Sequence, residues 1–184
     1  MKTIKSDKKN LSLLSKEELI NKILHHEKEL EKHKFLAFCD VMTTRECNKE
    51  DKNIVIYNRT YWELVYRVEH KNDECDFYLI DLNDLKLIND TKGHVHGDKH
   101  ICDCIKFLSA FGTIFRLGGD EFVLVPDKSK QDELKAYLEK QQLDLPFAYV
   151  YEHKMPTDSF SEILKSCDNK MYAFKSKQKN NSQK

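Results

Sequence analysis

The rhythm of apolar and polar positions changes several times along this chain. Residues 15–39 are rich in Leu, Glu and Lys, contain neither Gly nor Pro, and read as one helix. Within it Leu19, Ile23, His26, Leu30, His33 and Ala37 recur at alternating spacings of four and three, the pattern of a heptad seam with His at two places. A short surface helix and a dimerising coiled coil both fit, and His at the seam would make pairing pH-sensitive. Residues 41–56 are charged and aperiodic, so they are expected to be irregular. Tyr57 to His70 reads as a helix that turns Trp62, Val65 and Tyr66 to a core. Phe77 to Leu82 is a nearly continuous apolar run, the pattern of a buried strand. Leu85 to Asp90 predicts a short helix, and Ile101, Ile105 and Leu108 set a helical period over Asp98 to Ala110. Thr113 to Leu117 and Phe122 to Val125 predict two strands joined at Gly118-Gly119. Gln131 to Gln142 predicts a helix, Phe147 to Tyr151 a strand, and Ser159 to Lys177 a last helix. No internal repeat is evident.

Hairpin strands pair antiparallel, and the single strands can join their edges. The expected fold class is therefore a layered α/β (α+β) domain, with a mostly antiparallel sheet surrounded by helices and an N-terminal helix before it. The expected organisation is an N-terminal polar segment and helix over 1–39, one domain over 40–178, and a disordered basic tail over 179–184.

Composition narrows the function. The 184 residues carry 31 Lys plus Arg and 31 Asp plus Glu, so the broad positive field of a dedicated nucleic-acid binder is missing. A nucleotide site would be local. No apolar run approaches the roughly 18 residues that cross a bilayer, so no membrane insertion is expected. Cys39, Cys47, Cys75, Cys102, Cys104 and Cys167 are scattered through a chain too large to need disulfide staples and read as reduced thiols of a cytoplasmic protein. The Asn-x-Ser/Thr triplets at Asn58, Asn89 and Asn180 then read as chance matches.

Two strings carry chemistry. Asp81-Leu82-Asn83-Asp84 begins where the apolar strand stops, a place where carboxylates reach solvent and can hold a hard cation. Arg116-Leu117-Gly118-Gly119-Asp120-Glu121-Phe122 places two glycines, free to adopt the positive φ of tight turns, before two carboxylates. A tip without side chains lets a bulky ligand lie against the backbone. If the strand over 77–82 lies beside this hairpin, Asp81 and Asp120 converge. Converging carboxylates suit Mg²⁺ bound with phosphates, and paired metals can clamp a phosphoryl transfer. The plain alternative is a hairpin with a polar turn.

Gly118-Gly119-Asp120-Glu121-Phe122 spells the signature of the GGDEF family. The stretch Asp81 to Asp98 resembles that family's upstream pattern at Asp81, Lys86, Ile88, Asn89, Asp90, Gly93, His94, Gly97 and Asp98. The resemblance covers roughly residues 40–180 and implies a palm-like fold of the nucleotidyl cyclase and polymerase kind. It implies metal ligation by Asp81, the backbone carbonyl of Leu82, and Asp120, with Glu121 a further catalytic carboxylate. It implies a phosphate cradle from Asn83, Asp84 and Leu85, with Lys86 as an added cation and Gly118 and Gly119 against the substrate. Asn89 and Asp98 fall at its guanine-reading positions, and an Asp acceptor matches the N1–H and N2–H₂ donors that adenine lacks. Asp168, Tyr172 and Lys175 fit its last-helix segment. Lys175 and Lys179 are placed for phosphates, although Lys179 stands where the family usually has Arg and lacks the bidentate fork.

The implied activity is a Mg²⁺-dependent (or Mn²⁺-dependent) diguanylate cyclase. Two GTP molecules would be condensed to cyclic di-GMP and two pyrophosphates across a homodimer, each domain holding half of the reaction. The alternative is a catalytically degenerate GTP-binding or protein-interaction module. A cyclase with another nucleotide choice is a third reading. Several departures bear on this choice. Only Asp40, Thr43 and Asn58-Arg59 remain of the family's N-terminal motif. Asn83 replaces an Asp, Asp84 and Leu85 replace apolar or aromatic residues, and the strand at Ala148 to Tyr151 is bulkier than the family's. The family's inhibitory product site, R-x-x-D, corresponds here to Ser109-Ala110-Phe111-Gly112, so product inhibition there is expected to be absent. His94, His96, His100, Cys102 and Cys104 have the residue types of a Zn²⁺ site. The plainer reading leaves His94 to the family string and turns Cys104 to the core.

Overall fold

A computed structural model describes residues 18, 20–22, 24–30, 39–49, 54–141 and 145–181, with the backbone alone at 41–42 and 177–181. The chain divides into two compact units, Met1–Ala37 and Phe38–Lys184. In the first, the described residues are helical, and Ile20, Leu24 and Leu30 are exposed. Of the expected seam, Leu19, Ile23, His33 and Ala37 lie outside the described residues.

The second unit is built on a five-stranded mixed sheet of order β1-β3-β4-β2-β5. The strands are β1 (Ile56–Asn58), β2 (Cys75–Leu82), β3 (Gly112–Arg116), β4 (Glu121–Pro126) and β5 (Phe147–Lys154). β1 pairs parallel to β3, and the other three pairings are antiparallel. β2 lies between β4 and β5, which is why its sequence is apolar on both faces. Tyr78, Ile80 and Leu82 pack on one side with Ile101, Ile105 and Leu108. Phe77 and Leu79 pack on the other with Trp62, Phe160 and Ile163.

The helices follow from these two faces. α3 (Leu85–Lys92) and α4 (His94–Leu108) meet at Gly93, whose φ of 85° suits a residue without Cβ. α4 starts four residues before the expected Asp98, because Gly93 ends one helix and opens the next. α5 (Gln131–Lys140) and α6 (Phe160–Asn181) complete the layers. Among the described residues no helix is long and apolar enough to cross a membrane.

Within 41–56, expected to be irregular, the described residues instead hold α1 (Val41–Cys47) and the first residue of β1. Asp40 caps α1, its carboxylate accepting from the Thr43 N–H at 3.1 Å, and its own N–H donates to the Ile56 carbonyl at 2.8 Å. Seven- and three-residue elements are too short for periodicity to register. β1 also takes Tyr57 and Asn58 from the expected helix. That helix, α2, runs through Arg59–Tyr61, a π-helical stretch Trp62–Tyr66, and Arg67–Glu69. The wider turn keeps Trp62 and Tyr66 stacked at 5.6 Å, both against Phe115.

Candidate active site

The site forms where β2 and β4 end side by side. Their register sets Asp81 opposite Glu121, so in an antiparallel pair both side chains leave the same face. Asp120 joins through its backbone, its carbonyl accepting from the Leu82 N–H at 2.9 Å. Glu121 is the register partner of Asp81, and Asp120 adjoins the pair at the end of the loop, close enough for the charges of both Asp residues to act on Glu121. Behind them stands α6, whose Lys175 places its ammonium 2.5 Å from Asp81 Oδ2. Asp81, Glu121, Asp168, Tyr172 and Lys175 line a cleft of about 570 Å³ together with Arg59 from α2.

The Glu121 carboxyl is pushed up from its ordinary range, first by partial burial and then by Asp120, Asp81 and Asp168, with Lys175 acting the other way. Such surplus negative potential on oxygen-only donors fits a hard divalent cation. Among the described residues no three acidic, His or Cys side chains stand together as a ready cage. The donors that fit are the paired Asp81 and Glu121 carboxylates, completed by backbone oxygen and by ligand.

The glycine tip is held in an unexpected way. Neither Gly118 nor Gly119 has a positive φ. Five residues separate the paired Arg116 and Phe122, and the Glu121 carbonyl accepts from the Leu117 N–H at 2.9 Å and the Gly118 N–H at 3.3 Å, which closes the loop without a left-handed residue. The glycines matter through space: a Cβ on Gly119 would meet nothing within 4 Å, and one on Gly118 would lie 3.2 Å from the Glu121 carboxylate. Arg116, which sequence reasoning did not single out, fixes the loop. Its guanidinium donates to the Gly118 carbonyl at 3.1 Å, to the Gly119 carbonyl at 2.7 Å, and to Thr43 Oγ1. It also pairs with Asp40 at 3.4 Å. The surviving Asp40 and Thr43 thus anchor the residue that holds the signature loop. An Arg two residues before the Gly-Gly tip was the available signal.

The turn after β2 is partly as expected. Asp84 takes the left-handed conformation, φ 58°, which Asp tolerates better than most residues. The Asn83 N–H is committed to the Pro146 carbonyl at 3.0 Å, which removes it from the expected cradle. The Leu85 to Leu87 N–H groups open α3 and have no carbonyl within it to bond. Lys86 is exposed beside them. Across the α3–α4 corner Asn89 lies so close over Gly97, the residue before Asp98, that a Cβ there would fall 1.9 Å from its Oδ1. Asp98 lines a second cleft, of about 350 Å³, between α1 and α4. The Lys179 side chain lies outside the described residues.

The sequence model of the diguanylate cyclase GGDEF domain matches residues 51–181. The chain belongs to the GGDEF family. A probable diguanylate cyclase of Escherichia coli K12, DgcC, is 35% identical over 94 residues, which is 46% of this chain and 24% of the relative. This chain therefore spans about a quarter of the length of that relative. An uncharacterized 19.3 kDa protein of Streptomyces ambofaciens is 30% identical over 128 residues, 61% of this chain and 70% of the relative. The coiled coil and GGDEF domain of DgcB from Caulobacter crescentus, solved with c-di-GMP, superposes with a TM-score of 0.68 at 17% identity. That match covers 86% of this chain and 91% of the other and shows a shared GGDEF fold.

Within this GGDEF fold His100, Cys102 and Cys104 of the His/Cys cluster turn to separate partners. His100 Nε2 lies 3.0 Å from the Asn83 carbonyl and steadies the turn after β2. Cys104 is buried in the core, and Cys102 faces Cys47.

Proposed function

We propose that this GGDEF chain is a diguanylate cyclase that condenses two GTP molecules into cyclic di-GMP as a homodimer. The observation that carries the reading is the Asp81–Glu121 pair, with Lys175 on Asp81 and open cleft beside it. Asp81, Glu121, Asp120 and the Leu82 carbonyl would hold Mg²⁺, which when bound neutralises phosphate charge and polarises the attacked phosphorus. Asn89 and Asp98 accept from the guanine N–H groups and select GTP over ATP. The first N–H groups of α3 meet the phosphate oxygens, with Lys86 adding charge beside them. Lys175 has a role before substrate arrives, since its ammonium compensates Asp81 in the free protein. In the complex it would turn to the triphosphate. Catalysis by these residues is positioning and electrostatics, each domain presenting its nucleotide to the 3′-hydroxyl of the other. The N-terminal helix, over 15–39, supplies a candidate for dimerisation. Ser109 to Gly112 offers no charged side chain to a product, so synthesis is expected to run without inhibition at that surface.

A second reading, a GTP-binding or interaction module without turnover, draws on one observation: the Asp81 carboxylate is already engaged by Lys175. Incubation with GTP and Mg²⁺, followed by chromatography with mass detection, separates the two. Cyclic di-GMP from wild type, and none from Asp120→Ala, supports the cyclase. GTP binding without product in a demonstrated dimer supports the module.

A further inference from the structure

Cys47 closes α1 and Cys102 lies in the middle of α4, 55 residues away, yet their sulfurs stand 3.0 Å apart. The Cys47 S–H donates and the Cys102 sulfur accepts. The two thiols are not equivalent. Cys47 is fully buried, whereas Cys102 retains 7% exposure and lines the cleft between α1 and α4. Asp98 lines the same cleft four residues earlier, one turn along the same face of α4. Lys106 lines it too and draws the Cys102 thiol toward its thiolate, as does the hydrogen bond from Cys47, while burial acts more strongly the other way. Cys47 is pushed further up by burial and by Cys102. Burial holds both thiols up, so position assigns the roles: Cys102, on the cleft side, is the one an oxidant reaches first, and Cys47, 3.0 Å away, is placed to resolve it.

We propose that Cys47 and Cys102 form a peroxide-responsive disulfide that staples α1 to α4 and narrows the cleft bearing Asp98. The cleft, of about 350 Å³, admits a molecule as small as hydrogen peroxide. The Cys102 thiolate attacks one peroxide oxygen, the O–O bond breaks, and water leaves after protonation, giving a sulfenic acid at Cys102. The Cys47 sulfur then attacks that sulfenic sulfur, the S–O bond breaks, and a second water leaves with the remaining proton. Two thiols and one peroxide become one disulfide and two waters, with two electrons passing from sulfur to oxygen. A disulfide needs an S–S separation near ~2.05 Å, so the sulfurs must close by about 1 Å. That motion draws α4 toward α1 beside Asp98. Its effect on nucleotide binding rests on the guanine-reading role proposed for Asp98, whereas closure of the bond does not.

The test is hydrogen peroxide treatment of the full chain, read by intact mass, peptide mapping and thermal unfolding. The expected result is a loss of about 2 Da, a cross-link between the peptides holding Cys47 and Cys102, and a Tm rise of roughly 5–15 °C, as for a bridge closing a loop of this size. Dithiothreitol reverses all three, and Cys47→Ser and Cys102→Ser each abolish the mass loss. GTP affinity of the oxidised wild type is expected to fall several-fold and to recover on reduction. An unchanged mass, a gain of oxygen without a cross-link, or equal GTP affinity in the two states overturns the inference. A reduced protein that binds no GTP counts against the nucleotide reading, while mass and Tm still decide the bond.

Discussion

Lys154 is fully buried at the end of β5, and among the described residues its ammonium has no carboxylate on it. It donates instead to three backbone carbonyls, of Lys71 at 2.8 Å, Asp73 at 2.9 Å and Met155 at 3.2 Å, and lies 4.8 Å from the centre of the Phe160 ring. The substitution Lys154→Met keeps an apolar stem of similar length and removes only the charge and its donors. Hydrogen bonds to a charged group contribute about 1.5–3 kcal/mol each, and a cation over a ring adds about 1–2 kcal/mol. Against this stands the desolvation of a buried ammonium, several kcal/mol, and a buried Met side chain gains about 1.5–3 kcal/mol. Met offers nothing to the three carbonyls, and each orphaned acceptor costs about 1–3 kcal/mol. Lys71 and Asp73 lie on an exposed turn, where water can partly replace the ammonium. The expected net loss is about 3 kcal/mol, a large share of the ~5–15 kcal/mol that holds a domain folded. With a urea m-value of about 2 kcal/mol/M, the midpoint falls by about 1.5 M. Trp62, the chain's single tryptophan, reports the transition directly, since it is buried 5.1 Å from the Phe160 ring centre. A Lys154→Met midpoint within about 0.5 M of wild type would refute the claim that the ammonium organises this turn.

Three further outcomes are expected. Arg116→Ala should lower cyclase turnover at least ~10-fold while costing only about 1–2 kcal/mol of stability, and Arg116→Lys should fail to restore it because one ammonium cannot span both glycine carbonyls and Thr43. Gly97→Ala should raise helix propensity by about 1 kcal/mol yet weaken GTP binding by displacing Asn89, a split that calorimetry and thermal melts together would expose. His153 is held by Asp76 at 2.8 Å and Glu74 at 3.1 Å, and these contacts, Asp76 first, raise its pKa above the ordinary 6.5. Its stabilisation is therefore complete below about pH 6.5 and fades as pH climbs through the raised value. The urea-midpoint gap between wild type and His153→Gln should be widest near pH 6 and smallest near pH 9; a constant gap would contradict the assignment.

What the sequence disclosed depended on length scale. The apolar run in β2 and the Ile101–Ile105–Leu108 spacing in α4 were legible because each repeats its pattern over several residues. The GGDEF string was legible because it is contiguous. α1 and β1 were not, since neither is long enough to show a period, and each is fixed by tertiary contact: Thr44 Oγ1 accepts from the Ile56 N–H at 3.3 Å, and Asn48 bonds both backbone groups of Ile54. That Glu121 is the residue opposite Asp81 is a matter of strand register, and a shift of one residue exchanges the two faces of a strand. The reach of Arg116 to Asp40 and Thr43 spans more than seventy positions and leaves no local trace. Cys47 and Cys102 looked like scattered thiols for the same reason.

The sheet order leaves β5 as an outer strand, and this bears on how the chain behaves in a concentrated solution. A formal net charge of zero provides no long-range repulsion between molecules. Protection against strand-to-strand accretion must then be local. Pro146, which has no N–H to donate, stands at the strand's entrance. Near its exit Glu152 is drawn onto α6 by Ser166 and Lys170, and His153 is clasped by two carboxylates. These guarded positions blunt one of the sheet's two outer strands, so a charge change near the end of β5 bears directly on how freely copies can stack there.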